Sequence, residues 1–473
     1  MTGSDPLPVA VIGGGPIGLA AAAHLVQRGL PVKVYETGAT AGSAVRAWQH
    51  VRLFSPWKYN VDAAARALLL EHGWQPPEGE TYPSGEEFLD EYLEPLAAVP
   101  ALASVIECGA RVTAVGRLGI DKIVSSGREK RPFVLTVTAA DGRQRRDLVR
   151  AVVDASGTWS TPNPLGAGGV PADGEDEFVD LIAYGLPDVL GRARSTYIGK
   201  TTLVVGAGHS AANVLLDLMS LSDADPATTA IWATRGTNLS RVYGGGANDE
   251  LAARGELGTR LQHHVESGLI QLVTGFSTTA VRASGGQLVV EDATGGDVRR
   301  LGPIDRIIAA TGQRPNLDMT REVRLDLDPC LESVRALGPL IDPNVHSCGT
   351  VYPHGHRELA HPEPGFYTAG IKSYGRAPTF LMMTGYEQVR SVVAALAGDL
   401  AAADAVQLTL PETGVCSTAR LEDGGGCCDG PAPVGGAACC TDDTVAETGP
   451  GCGCSSAVEL QPAKAGSCCG QAA

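Results

Sequence analysis

The stretch that decides the fold is Val9–Glu36, which reads VAVIGGGPIGLAAAAHLVQRGLPVKVYE. Its apolar start, residues 9–12, predicts a strand that runs into the turn Gly13-x-Gly15-x-x-Gly18. The alanine-rich segment after the turn predicts a helix, and a second short strand then ends on Glu36. This order of strand, glycine turn, helix, strand and acid is typical of a dinucleotide-binding unit.

The three glycines and the acid have distinct roles in such a unit. Gly13 permits the tight turn, Gly15 lets the backbone approach a pyrophosphate, and Gly18 lets the helix pack closely on the strand. The pyrophosphate would lie at the helix N-terminus, where free N–H groups favour an anion. Glu36 would accept hydrogen bonds from a ribose hydroxyl and repel a 2′-phosphate, which predicts FAD or NAD rather than NADP. The alternative is an ordinary strand-to-helix turn.

A second unit of the same kind begins near residue 202. An apolar strand enters Gly206-x-Gly208-His209-Ser210, a helix follows, and the next strand ends on Arg235. A guanidinium at this position suits the 2′-phosphate of NADP. Because the two ribose positions carry opposite charges, the simplest interpretation is FAD on the first unit and NADPH on the second. We interpret His209 as a loop residue rather than a catalytic base.

Length and composition indicate a large globular protein. The 473 residues are enough for two or three domains, and the 44% hydrophobic and 19% charged content is typical of a soluble fold. No apolar run of about 20 residues predicts a membrane span, and no signal peptide is evident, so we expect a cytoplasmic protein. The net charge of −16 argues against nucleic acid as a partner.

The pattern of strands and helices predicts an α/β protein in which one Rossmann-like domain is inserted into another. The predicted parts are the FAD-binding domain, first part (1–165), the NADPH-binding domain (166–305), the FAD-binding domain, second part (306–405), and a disordered cysteine-rich tail (406–473). Strands are predicted at 111–115, 133–139 and 151–154, with Asp141-Gly142 as the turn between the last two. Ser84 and Glu87 have the spacing of a capping box at a helix start.

Two further segments are candidates for cofactor contact. Residues 46–60, RAWQHVRLFSPWKYN, are rich in aromatic side chains and predict a wall for a flat ring that includes Trp57; the alternative is a small core under a loop. Residues 154–163 contain Ser156 and Gly157 at a strand end, followed by a proline-rich connection. Such a segment lets the backbone lie against a cofactor, although it could equally be a plain domain linker.

Together with Glu36 and the two glycine units, the segments Ala155-Ser156-Gly157 and Ala310-Thr311-Gly312 resemble the two-dinucleotide-domain flavoproteins. Over residues 8–400 the sequence is similar to class B flavin monooxygenases and related NADPH-dependent flavoproteins of bacterial arsenic-resistance operons. The resemblance implies that Gly13, Gly15, Gly18 and Glu36 bind FAD, that Gly206, Gly208, Ser210 and Arg235 bind NADPH, and that Gly370 approaches the FAD pyrophosphate or ribityl chain. The further candidates for cofactor binding are Ser156, Gly157, Thr311 and Gly312 in the two segments just named, and Trp57 in the aromatic loop.

Some positions depart from the family pattern. The segment 184–190, just before the second glycine loop, has no histidine where class B enzymes carry one. Ile371 and Lys372 follow Gly370, where many relatives have aspartate. No Cys-x-x-Cys occurs before residue 410, so we do not expect the internal dithiol of a thioredoxin reductase.

The tail holds nine of the twelve cysteines, between Cys416 and Cys469. Neighbouring cysteines have Cα atoms about 3.8 Å apart and are poor disulfide partners, whereas two thiolates bind a soft ion readily. We predict a site for As(III), Sb(III), Hg(II) or Cu(I), and the alternative is a tail with incidental thiols. The predicted ligands are Cys427, Cys428, Cys439, Cys440, Cys452, Cys454, Cys468 and Cys469.

The sequence therefore predicts an FAD- and NADPH-dependent oxidoreductase that resembles monooxygenases and transfers oxygen from O₂ to a soft nucleophile such as trivalent arsenic. A second interpretation makes the tail cysteines redox-active in the reduction of a metal ion or a disulfide. A third makes the flavoprotein body a scaffold for a metalloid chaperone or sensor. The residues identify no catalytic acid or base, and they leave room for a homodimer.

Overall fold

The computed structural model describes residues 6–244, 252–344 and 351–408, which belong to one compact unit. Of the predicted disordered tail (406–473), the part from residue 409 onward, with all eight predicted metal ligands, lies outside the described residues. The strands, in chain order, are β1 (Val9–Ile12), β2 (Val32–Tyr35), β3 (Ile106–Glu107), β4 (Ala110–Arg117), β5 (Phe133–Ala139), β6 (Gln144–Val149), β7 (Ala151–Asp154), β8 (Ile182–Tyr184), β9 (Thr201–Val205), β10 (Thr229–Ala233), β11 (Ile270–Val273), β12 (Ala280–Ser284), β13 (Gln287–Asp292), β14 (Arg299–Ile304), β15 (Arg306–Ala309) and β16 (Phe366–Thr368).

The helices lie between these strands and after the last of them. The α-helices are α1 (Pro16–Gln27), α2 (Ser43–Ala47), α3 (Trp57–Asn60), α4 (Ala63–Glu71), α5 (Gly85–Phe88), α6 (Glu94–Ala98), α7 (Pro100–Ala103), α8 (Arg194–Tyr197), α9 (His209–Ala224), α10 (Ser240–Tyr243), α11 (Ala252–Glu266), α12 (Gly338–Ile341), α13 (Met382–Leu396) and α14 (Leu400–Asp404). A π-helical turn, Leu89–Leu93, joins α5 to α6, and 3₁₀-helices cover Arg128–Lys130, Asp176–Leu181, Asp318–Thr320 and Gly370–Tyr374.

The first sheet is parallel and has the strand order β16-β7-β1-β2-β3. Ile12 at the end of β1 lies opposite Tyr35 of β2 and Asp154 of β7, and Asp154 in turn lies opposite Thr368 of β16. The carboxyl ends of these strands therefore meet at one edge, which is where open α/β sheets bind ligands. The predicted strand–turn–helix–strand unit is confirmed.

The second sheet is also parallel and has the order β11-β10-β9-β15-β8. Arg306 of β15 lies opposite Thr202 of β9, so residue 306, the predicted start of the returning FAD-binding part, lies within the second sheet. This short apolar strand belongs to the second sheet because it pairs with β8 and β9 along its two edges. The chain crosses between the two sheets after Ala309.

Each parallel sheet has a three-stranded antiparallel sheet on one face and helices on the other. The small sheets are β4-β5-β6 and β12-β13-β14. The turn at Asp141-Gly142 joins β5 to β6, and not to β7 as predicted. β6 was missed because its sequence, QRRDLV, carries charged side chains and is only partly buried. The predicted α/β class with two Rossmann-like sheets is confirmed.

No helix in the described part of the chain is long and apolar enough to cross a lipid bilayer.

Candidate cofactor-binding site

The first glycine turn is held by close backbone contacts at two of its glycines. Gly13 has φ of +103°, and a Cβ atom there would lie 2.6 Å from the carbonyl oxygen of Ala155. A Cβ atom on Gly18 would lie 1.9 Å from the carbonyl oxygen of Gly13. A Cβ atom on Gly15, in contrast, would meet no atom within 4 Å. The turn thus needs Gly13 and Gly18 to form, while Gly15 leaves the N-terminus of α1 accessible to a ligand.

Glu36 lies at the end of β2, beside this turn. Its Oε2 accepts a hydrogen bond from the Gly14 N–H at 2.6 Å, and its Oε1 accepts one from the Gly38 N–H at 2.7 Å. Each carboxylate oxygen retains a further lone pair that could accept a ribose hydroxyl. The acid therefore stabilises the turn and presents negative charge next to it, at the position predicted from the sequence.

Two other segments flank the turn. Ser156 follows β7, and a Cβ atom on Gly13 would lie 2.9 Å from its Cα atom. Gly370, with φ of +70°, begins the 3₁₀-helix after β16 and lies close to Ile17 of α1. Its N–H donates to Gln388 Oε1 of α13 at 2.7 Å. The structure thus brings Gly13, Gly15, Gly18, Glu36, Ser156, Gly157 and Gly370 to one edge of the first sheet.

Asp154 and Lys372 form a buried ion pair under this edge that the sequence analysis did not predict. The Lys372 Nζ lies 2.7 Å from Asp154 Oδ2 and 3.0 Å from Ser156 Oγ. Both charged side chains are about 1% exposed. An acid at the end of an otherwise apolar strand and a lysine inside an apolar segment were the available signals.

The second glycine loop follows β9. Gly206 has φ of +140°, and a Cβ atom there would lie 2.2 Å from the carbonyl oxygen of Ala310. The Trp232 Nε1–H donates to the Gly206 carbonyl at 2.7 Å. A Cβ atom on Gly208 would meet no atom within 4 Å, and Ser210 lies in the first turn of α9. This loop therefore resembles the first: Gly206 permits the turn, and Gly208 leaves the N-terminus of α9 accessible to a ligand.

Arg235 lies two residues after β10 and is exposed. Its Nη1 donates to the carbonyl oxygen of Ala167 at 2.7 Å, and no carboxylate of the described residues forms an ion pair with it. Its remaining N–H groups can therefore donate to a phosphate. The charge contrast with Glu36 that the sequence predicted is preserved in the structure.

The predicted residues Thr311 and Gly312 lie in one of the two chain segments that connect the sheets. Thr311 Oγ1 donates to the Asn163 carbonyl at 2.9 Å, and the Asn163 N–H donates to the Gly312 carbonyl at 2.9 Å. Arg314 Nε donates to Asn163 Oδ1 at 2.8 Å. Thr158 and Thr161 also bond to residues 313 and 314, so residues 158–163 are joined to residues 311–314. In this structure Thr311 and Gly312 therefore stabilise the paired connection between the domains.

The aromatic side chains of the loop at residues 46–60 pack in two different places. Trp57 is 4% exposed and packs in the core, with its ring centroid 5.9 Å from that of Phe88. A ring buried in this way has little surface for a cofactor, and it belongs to the main core around the first sheet rather than to a small core under the loop. Phe54 packs against the second domain, with its ring centroid 5.2 Å from that of His209.

His50 of the same loop approaches the segment that lacks the family histidine. Its imidazole lies near the Pro187 backbone and near Asp188, and burial lowers its pKa. A neutral histidine is therefore expected here at pH 7.

The described cysteines are Cys108 and Cys330, and both are exposed free thiols. Partial burial and the nearby carboxylate of Glu36 raise the pKa of the Cys108 thiol, which makes it a weak nucleophile at neutral pH. Within the described ranges, no group of three or more histidine, cysteine or acidic side chains is arranged to hold a metal ion.

Comparisons with known proteins agree with this architecture. The model of the pyridine nucleotide-disulphide oxidoreductase family matches residues 7–332. No curated protein matches the sequence. Bacillithiol disulfide reductase Bdr (YpdA) from Bacillus cereus has a similar structure, with a TM-score of 0.61 and 17% identity over 83% of this chain and 99% of that chain.

Two monooxygenases have the same fold. DfoA, the cadaverine monooxygenase of desferrioxamine biosynthesis from Erwinia amylovora, was solved with FAD and gives a TM-score of 0.58 at 14% identity, over 86% of this chain and 99% of that chain. A flavin-containing monooxygenase from Stenotrophomonas maltophilia gives 0.53 at 21% identity, over 83% and 100%. At these identities the likeness shows the fold alone. The predicted two-dinucleotide-domain architecture is confirmed.

Proposed function

Because this chain belongs to the pyridine nucleotide-disulphide oxidoreductase family, we propose that it is a flavin-dependent oxidoreductase with FAD on the first glycine turn and NADPH on the second. The observation that carries the assignment is the contrast between Glu36, the first residue after β2, and Arg235, the second residue after β10. A carboxylate accepts ribose hydroxyls and disfavours a 2′-phosphate, whereas a guanidinium favours it.

We propose that the reaction is a monooxygenation of a soft nucleophile such as trivalent arsenic. NADPH supplies two electrons, one oxygen atom of O₂ is transferred to the substrate, and the other leaves as water. The bound flavin would supply hydride acceptance and O₂ activation. The chain itself binds and orients the nucleotides through the open helix N-termini at Gly15 and Gly208.

A second candidate is the reduction of a metal ion or a disulfide. The family and the fold shared with a disulfide reductase favour it. The two described cysteines, Cys108 and Cys330, form no disulfide that could accept electrons, so this reaction would use the tail cysteine pairs as electron acceptors. The third candidate is metalloid binding by the tail on a flavoprotein scaffold without turnover.

One assay separates these functions. The purified full-length protein is given NADPH in air or under argon, each with and without arsenite or Hg(II), and NADPH oxidation is followed by absorbance. Turnover that needs O₂ and yields arsenate supports the monooxygenase. Anaerobic turnover that needs Hg(II) supports the reductase, and absence of turnover in every arm leaves the scaffold function.

Hydrogen peroxide measured in the aerobic arm without substrate gives a further check. The segment before the second glycine loop lacks the family histidine, so we expect weak retention of activated oxygen and release of peroxide. NADPH oxidation that waits for substrate, with little peroxide, would contradict this expectation.

A further inference from the structure

Lys372 lies in an unusual place for a lysine. It follows Gly370 in a 3₁₀-helix, its side chain is 1% exposed, and its ammonium contacts Asp154 Oδ2 at 2.7 Å and Ser156 Oγ at 3.0 Å. The Ser156 hydroxyl in turn donates to Asp154 Oδ1 at 2.7 Å. The three polar groups therefore form a closed network in which each contacts the other two.

This network lies directly beside the first glycine turn. Asp154 is the strand neighbour of Ile12, the residue before Gly13, and Ser156 packs against Gly13. Ser156 is exposed, whereas Asp154 and Lys372 are buried behind it. A dinucleotide on the glycine turn would therefore contact the outer member of the network, with the two charges just beneath.

The charges in the network offset each other. His361 is another titratable group near Asp154, but burial lowers its pKa to about 4, so it is neutral at pH 7. The Lys372 ammonium is therefore the cation that compensates the Asp154 carboxylate. A buried carboxylate without its partner would disfavour additional negative charge nearby, including the charge that a flavin gains on reduction.

We propose that Lys372 is a positioning residue for the flavin. Through Asp154 and Ser156 it holds the segment after β7 against the glycine turn, and it neutralises the carboxylate so that reduced FAD is bound as readily as oxidised FAD. This inference rests on the proposed function, because it assumes FAD on the first unit.

The test is the midpoint potential of the bound flavin in three variants of the full-length protein. In Lys372→Met the carboxylate is uncompensated, so we expect reduced FAD to lose about tenfold in affinity relative to oxidised FAD, a fall of about 30 mV for a two-electron couple. In Asp154→Asn the ammonium is uncompensated, and the potential should rise. The double variant, which removes both charges, should return to within about twofold of the wild-type affinity ratio.

Two controls separate this electrostatic role from a merely structural one. Arg390→Met also removes a buried cation paired with a carboxylate, but its hydrogen bonds go to Glu387 and the carbonyls of Ala402 and Ala405, so the flavin potential should not change. Lys372→Arg keeps the charge and should keep the potential. If Lys372→Met holds no FAD, titration with excess FAD should show binding restored in the double variant.

The inference would be overturned if the flavin potential did not shift in the two single variants, or shifted with the same sign in both. It would also be overturned if Arg390→Met shifted the potential equally, or if the double variant did not return to the wild-type value. These outcomes are distinct from failure of the proposed function. Wild-type protein that holds no FAD would refute the function itself, whereas wild-type protein with FAD and unchanged potentials would refute only the role of Lys372.

Discussion

Phe54 in the aromatic loop of the first domain lies edge-on to His209 at the start of α9 in the second, with ring centroids 5.2 Å apart and planes at 61°. His50 in the same loop lies near the Pro187 backbone of the second domain. The loop therefore joins the two nucleotide units at the N-terminus of the helix on which the pyrophosphate of NADPH would lie. We therefore expect Phe54 to affect the binding of NADPH.

Phe54→Ala should weaken this contact without emptying the flavin site. An edge-to-face aromatic pair contributes about 0.5–1.5 kcal/mol, so we expect the apparent Kd for NADPH in stopped-flow flavin reduction to rise about two- to tenfold. FAD content should not change. Phe133→Leu, which alters the fully buried core between β5 and the first sheet, should lower Tm but leave this Kd unaltered. An unchanged Kd in Phe54→Ala would argue against the coupling.

Arg235→Ala should reduce the preference for NADPH. A hydrogen bond between charged groups contributes about 1.5–3 kcal/mol, so kcat/KM for NADPH should fall about 10- to 100-fold while that for NADH changes little. The control is Arg192→Ala in the same domain, since Arg192 is exposed and pairs with Asp188. Wild-type protein that uses both nucleotides equally well would contradict the charge argument.

Gly15→Ala and Gly18→Ala should fail in different ways. A Cβ atom on Gly15 meets no protein atom, so this apoprotein should keep its stability within about 0.5 kcal/mol yet bind less FAD. A Cβ atom on Gly18 would lie 1.9 Å from the Gly13 carbonyl oxygen, and the turn must shift at a cost of about 1–3 kcal/mol. Tm of the apoproteins and the FAD-to-protein ratio distinguish the two. Full FAD content in Gly15→Ala would show that the cofactor does not approach there.

His361 should make the protein less stable in mild acid. Burial lowers its pKa to about 4, whereas an unfolded histidine has a pKa of about 6.5. Between these values the unfolded state binds more protons, so the free energy of unfolding should fall as pH drops from 6.5, by about 3 kcal/mol at pH 4.

Urea midpoints at pH 7 and pH 5 measure this effect. His361→Asn should reduce the difference between the two pH values, because a neutral amide replaces the imidazole that accepts the Asp326 N–H. His72→Gln, at an exposed histidine, serves as the control. An equal pH dependence in His361→Asn and wild type would assign the acid effect to other groups.

Truncation at Pro411 should separate redox chemistry from metalloid capture. Ordering so glycine-rich a segment costs about 1–2 kcal/mol per residue, so we expect the tail to add little stability and the truncated protein to keep its FAD, Tm and NADPH oxidation. Tight binding of As(III) or Hg(II) should be lost. In the full-length protein the affinity for the metalloid should fall as the pH drops below the cysteine pKa of about 8.5, since thiolates are the ligands.

Cys108→Ser in the full-length protein is the matched control and should leave metalloid binding intact. Stoichiometric metalloid binding by the truncated protein would refute the prediction that the tail holds the metalloid site. Loss of flavin reduction by NADPH on truncation would instead favour the tail as a redox relay.

The sequence by itself determined the features that depend on near neighbours. Both glycine turns, their strands and the contrast between Glu36 and Arg235 were predicted, because each follows from backbone conformations and charges within about 30 residues. The capping box was predicted for the same reason, and Ser84 and Glu87 do exchange the two expected hydrogen bonds.

Only the tertiary structure decided the features that depend on distant partners. Asp154 and Lys372 are 218 positions apart, and nothing local indicates that the lysine is buried against the acid. From the sequence, Trp57 could face either a cofactor or the core, and its packing against Phe88 in the structure decides for the core. β15 joined the second sheet because β8 and β9 could pair with its edges. In each case packing and pairing across the chain select among environments that the local sequence permits equally.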